Sequence, residues 1–383
     1  MRLKPPKTIV MVAGEASGDL HGARVIRSLR KRHDDIYVCG AGGSAMRAEG
    51  ARLIVDANEL SVMGFTAIFS KAPQILNAIA KLKKLMLSLK PDLVILIDFP
   101  DFNIHLAASA KRAGIPVLYY ISPTVWAWRP KRVFKIKQRV DHMAVILPFE
   151  ESIYEKHGIP VTFVGHPLLD DVENPAESSV IRPDSQVPTI ALMPGSRHDE
   201  VQRLLPTMLE ASKIIQRNNN RTRILVSCAP SIDSTLINEI INKHGADNIR
   251  TTQDKAGQVF KRCHLAVAAS GTVSLEAAIY ATPTIIVYEV SELSYRLGKL
   301  MVDVPHIGMA NLIAGKRVLP ELIQKEVTAE NIARIAMNLL ADRDACCRME
   351  NELKDIRQLL GKPGASDRVA EIACRLMECD CAI

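Results

Sequence analysis

Six stretches of the chain combine residue types at spacings that could do chemistry or bind a ligand or bilayer. In LVILIDFPDFNIHL, Asp98 ends an apolar run and Asp101 follows Pro100. A carboxylate at a strand's mouth, partly shielded from water, can take a proton from an attacking hydroxyl; bracing a loop is the other job open to Asp98, and capping the helix that begins near Phe102 the other job open to Asp101. In VAASGTVSLEAAIYATP, Ser270, Gly271 and Thr272 follow a strand and open a helix, offering N–H groups at the positive end of its dipole. Thr272 and Glu276 share a face, and no Ser or Thr stands three residues before Glu276 to make a capping box with it. Glu276 is then free to accept two hydrogen bonds from ribose hydroxyls, or is a solvated acid of the first turn. In ALMPGSRHDEV the backbone of Gly195 and Ser196 and the guanidinium of Arg197 suit a diphosphate; a tight turn with a solvated arginine is the alternative.

The opening turn, VAGEASGDLHG, contains Gly14, Glu15, Ser17, Gly18 and Asp19 but neither a P-loop nor a dinucleotide fingerprint. Its two acids repel an anion, so the loop suits hydroxyls and the phosphate site belongs elsewhere. YYISPTVWAWRPKRVFKIKQ sets Trp126 and Trp128 beside a basic series starting at Arg129, fit for sugar rings and phosphate or for plugging a domain interface. In LSVMGFTAIFSKAPQILNAIAKLKKLMLSLK, Val62, Met63, Phe65, Ile68 and Phe69 precede several lysines. That pattern fits shallow insertion in an anionic bilayer, a groove for acyl chains, or an ordinary core helix.

These residues need rigid elements behind them. At 383 residues the chain is long enough for two domains. Short β-branched runs at 8–13, 35–40, 93–98, 117–121, 142–147 and 161–164, then at 189–193, 223–227, 265–268 and 284–287, alternate with helical periods, the pattern of βα units around parallel sheets. A polar, proline-containing stretch at 170–188 reads as the boundary. The expected fold is therefore α/β with two Rossmann-like domains, 1–170 and 186–349, their parallel sheets facing a central cleft. The helical tail, 350–383, is free to pack on either and is grouped with the first. Ligands of such sheets bind beyond the carboxyl ends of the strands, which selects 14–19, 98–103 (with Asn103), 122–129 (with Ser122), 195–200 and 270–276.

A net charge of +7 is compatible with an anionic substrate or membrane surface, while basic runs without interleaved stacking aromatics argue against nucleic acid. The eight cysteines lack zinc-site spacing, so they read as reduced thiols and not as a zinc site. The N-terminal apolar stretch reads as a strand and not as a signal peptide, and no apolar run approaches the ~20 residues of a membrane span.

Together with GFTAIF, FVGHPL and ANLIAG, these segments resemble, in order and over almost the whole chain, the lipid-A-disaccharide synthase family of Gram-negative bacteria. The resemblance implies a GT-B glycosyltransferase, inverting, independent of metal and cofactor, peripheral to the cytoplasmic face of the inner membrane, with a homodimer among its possible assemblies. It implies transfer from UDP-2,3-diacylglucosamine to the 6-hydroxyl of 2,3-diacylglucosamine 1-phosphate (lipid X), giving a β-1,6 disaccharide 1-phosphate and UDP. On that footing Asp98 is the base, with Asp101 and Glu15 as the other catalytic candidates. Gly195, Ser196, Arg197, Ser270, Gly271, Thr272, Glu276 and Asn311 address the nucleotide or donor. Gly14, Ser17, Gly18, Asp19, Asn103, Ser122, Trp126 and Arg129 address sugar hydroxyls. A UDP-sugar epimerase, another GT-B transferase and a non-catalytic UDP-sugar-binding protein are the rival readings.

Overall fold

The computed structural model describes residues 6–33, 35–60, 65–172, 187–245, 249–301 and 304–378. The chain divides into two compact units, Met1–Asp170 with Leu360–Ile383, and Asp171–Leu359.

The first unit holds seven parallel strands: β1 (Lys7–Ala13), β2 (Ile36–Gly42), β3 (Arg52–Asp56), β4 (Leu93–Ile97), β5 (Val117–Tyr120), β6 (His142–Val145) and β7 (Val161–Phe163), in the order β3-β2-β1-β4-β5-β6-β7. The central strands are continuous apolar runs because helices cover both faces. Ile9 and Met11 of β1 join Val25, Ile26 and Leu29 of the helix Ala16–Arg32 and Val369 and Ile372 of the helix Ala365–Leu376. The alternate residues Val10 and Val12 face Leu82 and Met86 of the helix Phe65–Leu89 and Leu106 of the helix Pro100–Arg112.

The second unit holds six parallel strands: β8 (Thr189–Met193), β9 (Arg223–Ser227), β10 (Ile249–Thr252), β11 (Leu265–Ala269), β12 (Thr284–Tyr288) and β13 (Glu321–Ile323), in the order β10-β9-β8-β11-β12-β13. The helices His198–Asn218 and Ala329–Ala341 cover one face and Ala256–Arg262 the other.

Three strands beyond the ten expected, β3, β10 and β13, all lie at sheet edges. Edge strands such as IRTT and ELI are short and partly polar, so they carry neither an apolar run nor a clean alternation. The C-terminal tail is not one body: the helix Arg343–Leu359 buries Met349, Leu353 and Ile356 in the second unit, and only Ala365–Leu376 returns to the first. Val62 and Met63 lie outside the described residues, as do the side chains of Phe65, Ile68 and Phe69. Among the described residues no helix is long and apolar enough to cross a membrane.

In each sheet the winding reverses between two neighbours, β1 and β4 in the first, β8 and β11 in the second. Connections leaving such a pair depart to opposite sides and open a crevice at the carboxyl ends. Ala13 pairs with Ile97 and Met193 with Ala268, so loop 14–19 lies beside 98–103, and loop 194–200 beside 270–276.

Candidate active site

At the first reversal the chain leaves β4 through two consecutive left-handed residues, Asp98 at φ +47° and Phe99 at φ +48°. Each costs a non-glycine residue about 1–2 kcal/mol, so the bend must be held from outside. The Tyr119 hydroxyl donates to the Asp98 carbonyl at 2.6 Å, and Asn103 Nδ2 donates to the same oxygen at 2.7 Å and to Ile97 O at 3.1 Å. Asn103 is fully buried; its Nδ2 braces Asp98, while its Oδ1 is buried with no hydrogen-bond partner among the described residues. The bend throws the Phe99 ring over Gly14, where a Cβ would stand 2.4 Å from Phe99 Cδ1, so the turn tolerates glycine alone.

The bracing leaves the Asp98 side chain at the mouth of the strand. Its carboxyl is pushed up to about 6, first by burial and second by the charge of Glu15. Glu15 is exposed and opens the helix Ala16–Arg32 with exposed Ser17 behind it; Gly18 is buried close to Ala13. A base works only when ionised, so kcat/KM is expected to fall tenfold per pH unit below about 6 if Asp98 is the base. Glu15→Gln removes a like charge, and its acid limb should move to lower pH. A pH–rate profile that Glu15→Gln leaves in place would contradict the coupling.

Three other candidate residues in this unit are engaged by the protein's own groups. Asp19 is buried and spends its carboxylate on the N–H groups of Gly43, Ala45 and Met46, at 2.7, 2.9 and 3.0 Å; it starts the helix Ser44–Ala48 from another element. Ser122 is buried against the Tyr154 hydroxyl and Pro123 O. Asp101 neither caps the helix, whose N-cap is Phe99 with Pro100 next, nor is shielded from water: it is 72% exposed and ion-paired with Arg132 and Arg129. Arg129 in turn lies over the Trp128 ring at 4.4 Å.

Trp126 is half-buried, with its Nε1 donating to Glu150 Oε1 at 3.2 Å and its ring edge-on to Phe149. Glu150 was not visible as a site residue in the sequence. It sits 2% exposed in the first turn of the helix Pro148–Lys156, accepts the Leu147 N–H, and staples the Trp126 loop from below. The one signal was the proline–acid pattern of a helix start. Burial pushes its carboxyl up to about 7, while the unfolded chain keeps the ordinary value near 4.5. Protonated Glu150 therefore favours the folded state below about 4.5, and that contribution is lost as pH rises towards 7. Glu150→Gln should show a smaller drop in Tm between pH 5 and pH 8 than the parent chain; equal drops would place the titration elsewhere.

At the second reversal Gly195 adopts φ +117° and the helix His198–Asn218 starts at Arg197, 73% exposed. The Ser196 N–H and the Arg197 guanidinium both point to the chain's own Glu200, at 3.3 and 2.9 Å. Ser270, expected to offer free donors, spends its N–H on Val287 O and its hydroxyl on Ile307 O. Gly271 and Thr272 are exposed, and among the described residues their N–H groups donate to no protein acceptor. Glu276 lies one turn on, half-buried, its carboxyl raised to about 7 by burial and then by Asp171. Asn311 acts as a brace: it is fully buried, its amide donating to Leu319 O and Glu321 Oε1, its oxygen accepting from Val318 and Leu319 N–H.

No group of three or more His, Cys, Asp or Glu among the described residues is arranged to hold a metal ion. The triplet Asp342-Arg343-Asp344 has D-x-D spacing, yet Asp342 accepts the Ala345 N–H as a helix start, and the three residues are exposed on the surface.

A family model described as lipid-A-disaccharide synthetase matches residues 9–373, spanning both reversals. The chain belongs to the lipid-A-disaccharide synthase family. Lipid-A-disaccharide synthase of Syntrophus aciditrophicus (strain SB) is 45% identical over 378 residues, covering 97% of this chain and 98% of its own. That of Geobacter metallireducens is 41% identical over 383 residues, covering 98% and 99%. Membership makes the chain an enzyme, a glycosyltransferase of lipid A disaccharide synthesis. Among solved structures, the glycosyltransferase of kitacinnamycin superposes with TM-score 0.65 at 15% identity, covering 97% of this chain and 99% of that one. UDP-GlcNAc 2-epimerase from Neisseria meningitidis, bound to UDP-GlcNAc, gives 0.62 at 13% identity, covering 96% and 100%. At such identities the likeness speaks for the two-sheet GT-B fold of the synthase family and not for a reaction.

Proposed function

We propose that the chain condenses UDP-2,3-diacylglucosamine with 2,3-diacylglucosamine 1-phosphate (lipid X) to the β-1,6 disaccharide 1-phosphate and UDP. Asp98 accepts the proton of the acceptor 6-hydroxyl as that oxygen bonds to C1 of the donor sugar. The C1–O bond to the diphosphate breaks on the opposite side, which inverts C1, and the electron pair leaves with UDP. Arg197 and the N–H groups of Gly271 and Thr272 take up the charge of the departing diphosphate, and Glu276 accepts from the ribose hydroxyls. Glu15 and Ser17 meet the sugar hydroxyls nearest Asp98. The observation that carries this reading is the braced left-handed bend at Asp98, because strain held by two dedicated donors is what an aimed side chain requires.

The test is to incubate the protein with both acylated glucosamines and follow UDP release together with product mass. One UDP per disaccharide is expected. Epimerised UDP-sugar, or saturable binding without UDP release, would replace this reading with one of its rivals.

The same reading sets the protein on the cytoplasmic face of the inner membrane. Its support is the helix Phe65–Leu89, which buries Ala78, Leu82 and Met86 yet leaves Leu76 and Leu87 66% and 63% exposed. Those two leucines and Lys83 follow a spacing that aligns them on one stripe. The Leu76→Glu, Leu87→Glu double variant should lose most co-sedimentation with vesicles containing anionic lipid; undiminished co-sedimentation would move the contact elsewhere.

A further inference from the structure

The anion seat at the second reversal already holds an anion. Glu200 stands in the first turn of the helix His198–Asn218, and its Oε2 lies 2.5 Å from where a side chain on Gly195 would begin. Gly195 at φ +117° is in a conformation that favours glycine, and a side chain there would meet the carboxylate in its present position. Oε2 accepts the Ser196 N–H and Oε1 the Arg197 guanidinium. Arg197 is the cation assigned to the diphosphate above, and Ser196 N–H flanks it. A carboxylate and a diphosphate cannot occupy one small seat, since like charges a few ångströms apart repel strongly wherever water is thin.

We infer that Glu200 is an internal competitor for the diphosphate seat: its carboxylate holds Arg197 and the Ser196 N–H while the seat is empty, turns away when UDP-sugar enters, and returns to help expel UDP. This rests on the reading that the seat takes the diphosphate. The side chain can turn without disturbing the fold, because it is partly exposed and the helix behind it runs for 21 residues with its own buried face. An acid in this position also has an ordinary task, reaching back to N–H groups at a helix start, but a glutamine performs that task equally well without charge.

Glu200→Gln separates the two tasks. Calorimetry should find UDP bound more tightly than by the parent chain, on the order of tenfold, the effect of removing one competing charge-assisted contact. Stopped-flow displacement should find UDP leaving correspondingly more slowly, and UDP should inhibit turnover more strongly. Glu200→Ala should change UDP affinity in the same direction, with circular dichroism confirming that both variants are folded. Unchanged or weaker UDP binding in both variants overturns the role of Glu200. If Arg197→Ala leaves UDP binding by the parent chain intact, the seat itself is misplaced and the proposal falls with it; if Arg197→Ala weakens binding but the Glu200 variants do not tighten it, only Glu200 is at fault.

Discussion

Asp98→Asn is expected to lower turnover by about 10²- to 10⁴-fold, the usual worth of a positioned general base, and to leave UDP affinity within a factor of about two. The substitution is nearly isosteric, and the bend keeps its supports: Tyr119 and Asn103 hold the Asp98 carbonyl, the Asp98 N–H donates to Tyr120 O, and an amide oxygen can still accept from the Phe99 N–H as the carboxylate does. The variant should therefore fold with the bend in place and lose the base alone. Comparing kcat from UDP release with Kd for UDP from calorimetry checks this. A variant that turns over within a few-fold of the parent chain would take Asp98 out of the mechanism. Asp101, exposed and already paired with two arginines, is the poorer base, because its lone pairs face water and guanidinium.

Arg197→Ala is expected to weaken UDP binding by about 10- to 100-fold, since a hydrogen bond to a charged group contributes roughly 1.5–3 kcal/mol and each 1.4 kcal/mol is a factor of ten. The guanidinium is 73% exposed, which favours the lower end of that range. Turnover should suffer further, because charge on the leaving diphosphate grows as the C1–O bond breaks. Equal UDP affinity in the variant and the parent chain would show that the cation serves only Glu200.

Much of the fold was legible because parallel strands buried on both faces read as apolar runs, as LVILI and TIALM do. Runs at β1, β4, β8 and β11 located the loops beyond them, and the two reversals bring these loops together in pairs. The edge strands were illegible for the opposite reason: IRTT has two exposed and two half-buried residues and none fully buried. Within the loops, the sequence showed which polar residues were present but not which way they were spent. Asp19 and Asn311 look like ligand contacts until their partners are known, and the partners of Asp19 stand 24 to 27 residues away on another turn. Glu150 and Glu200 were passed over because an acid in a first helical turn is ordinary by pattern. Burial beneath Trp126 for the one, and a carboxylate seated over Gly195 for the other, give them their present interest.

The central claim is that UDP is held at the second reversal while the base stands at the first. A crystal structure of the protein with UDP tests it most directly. The diphosphate should lie within hydrogen-bonding distance of Arg197 and of the Gly271 and Thr272 N–H groups, with Glu276 on the ribose and Glu200 turned out. A nucleotide seated instead against residues 14–19 would contradict the account.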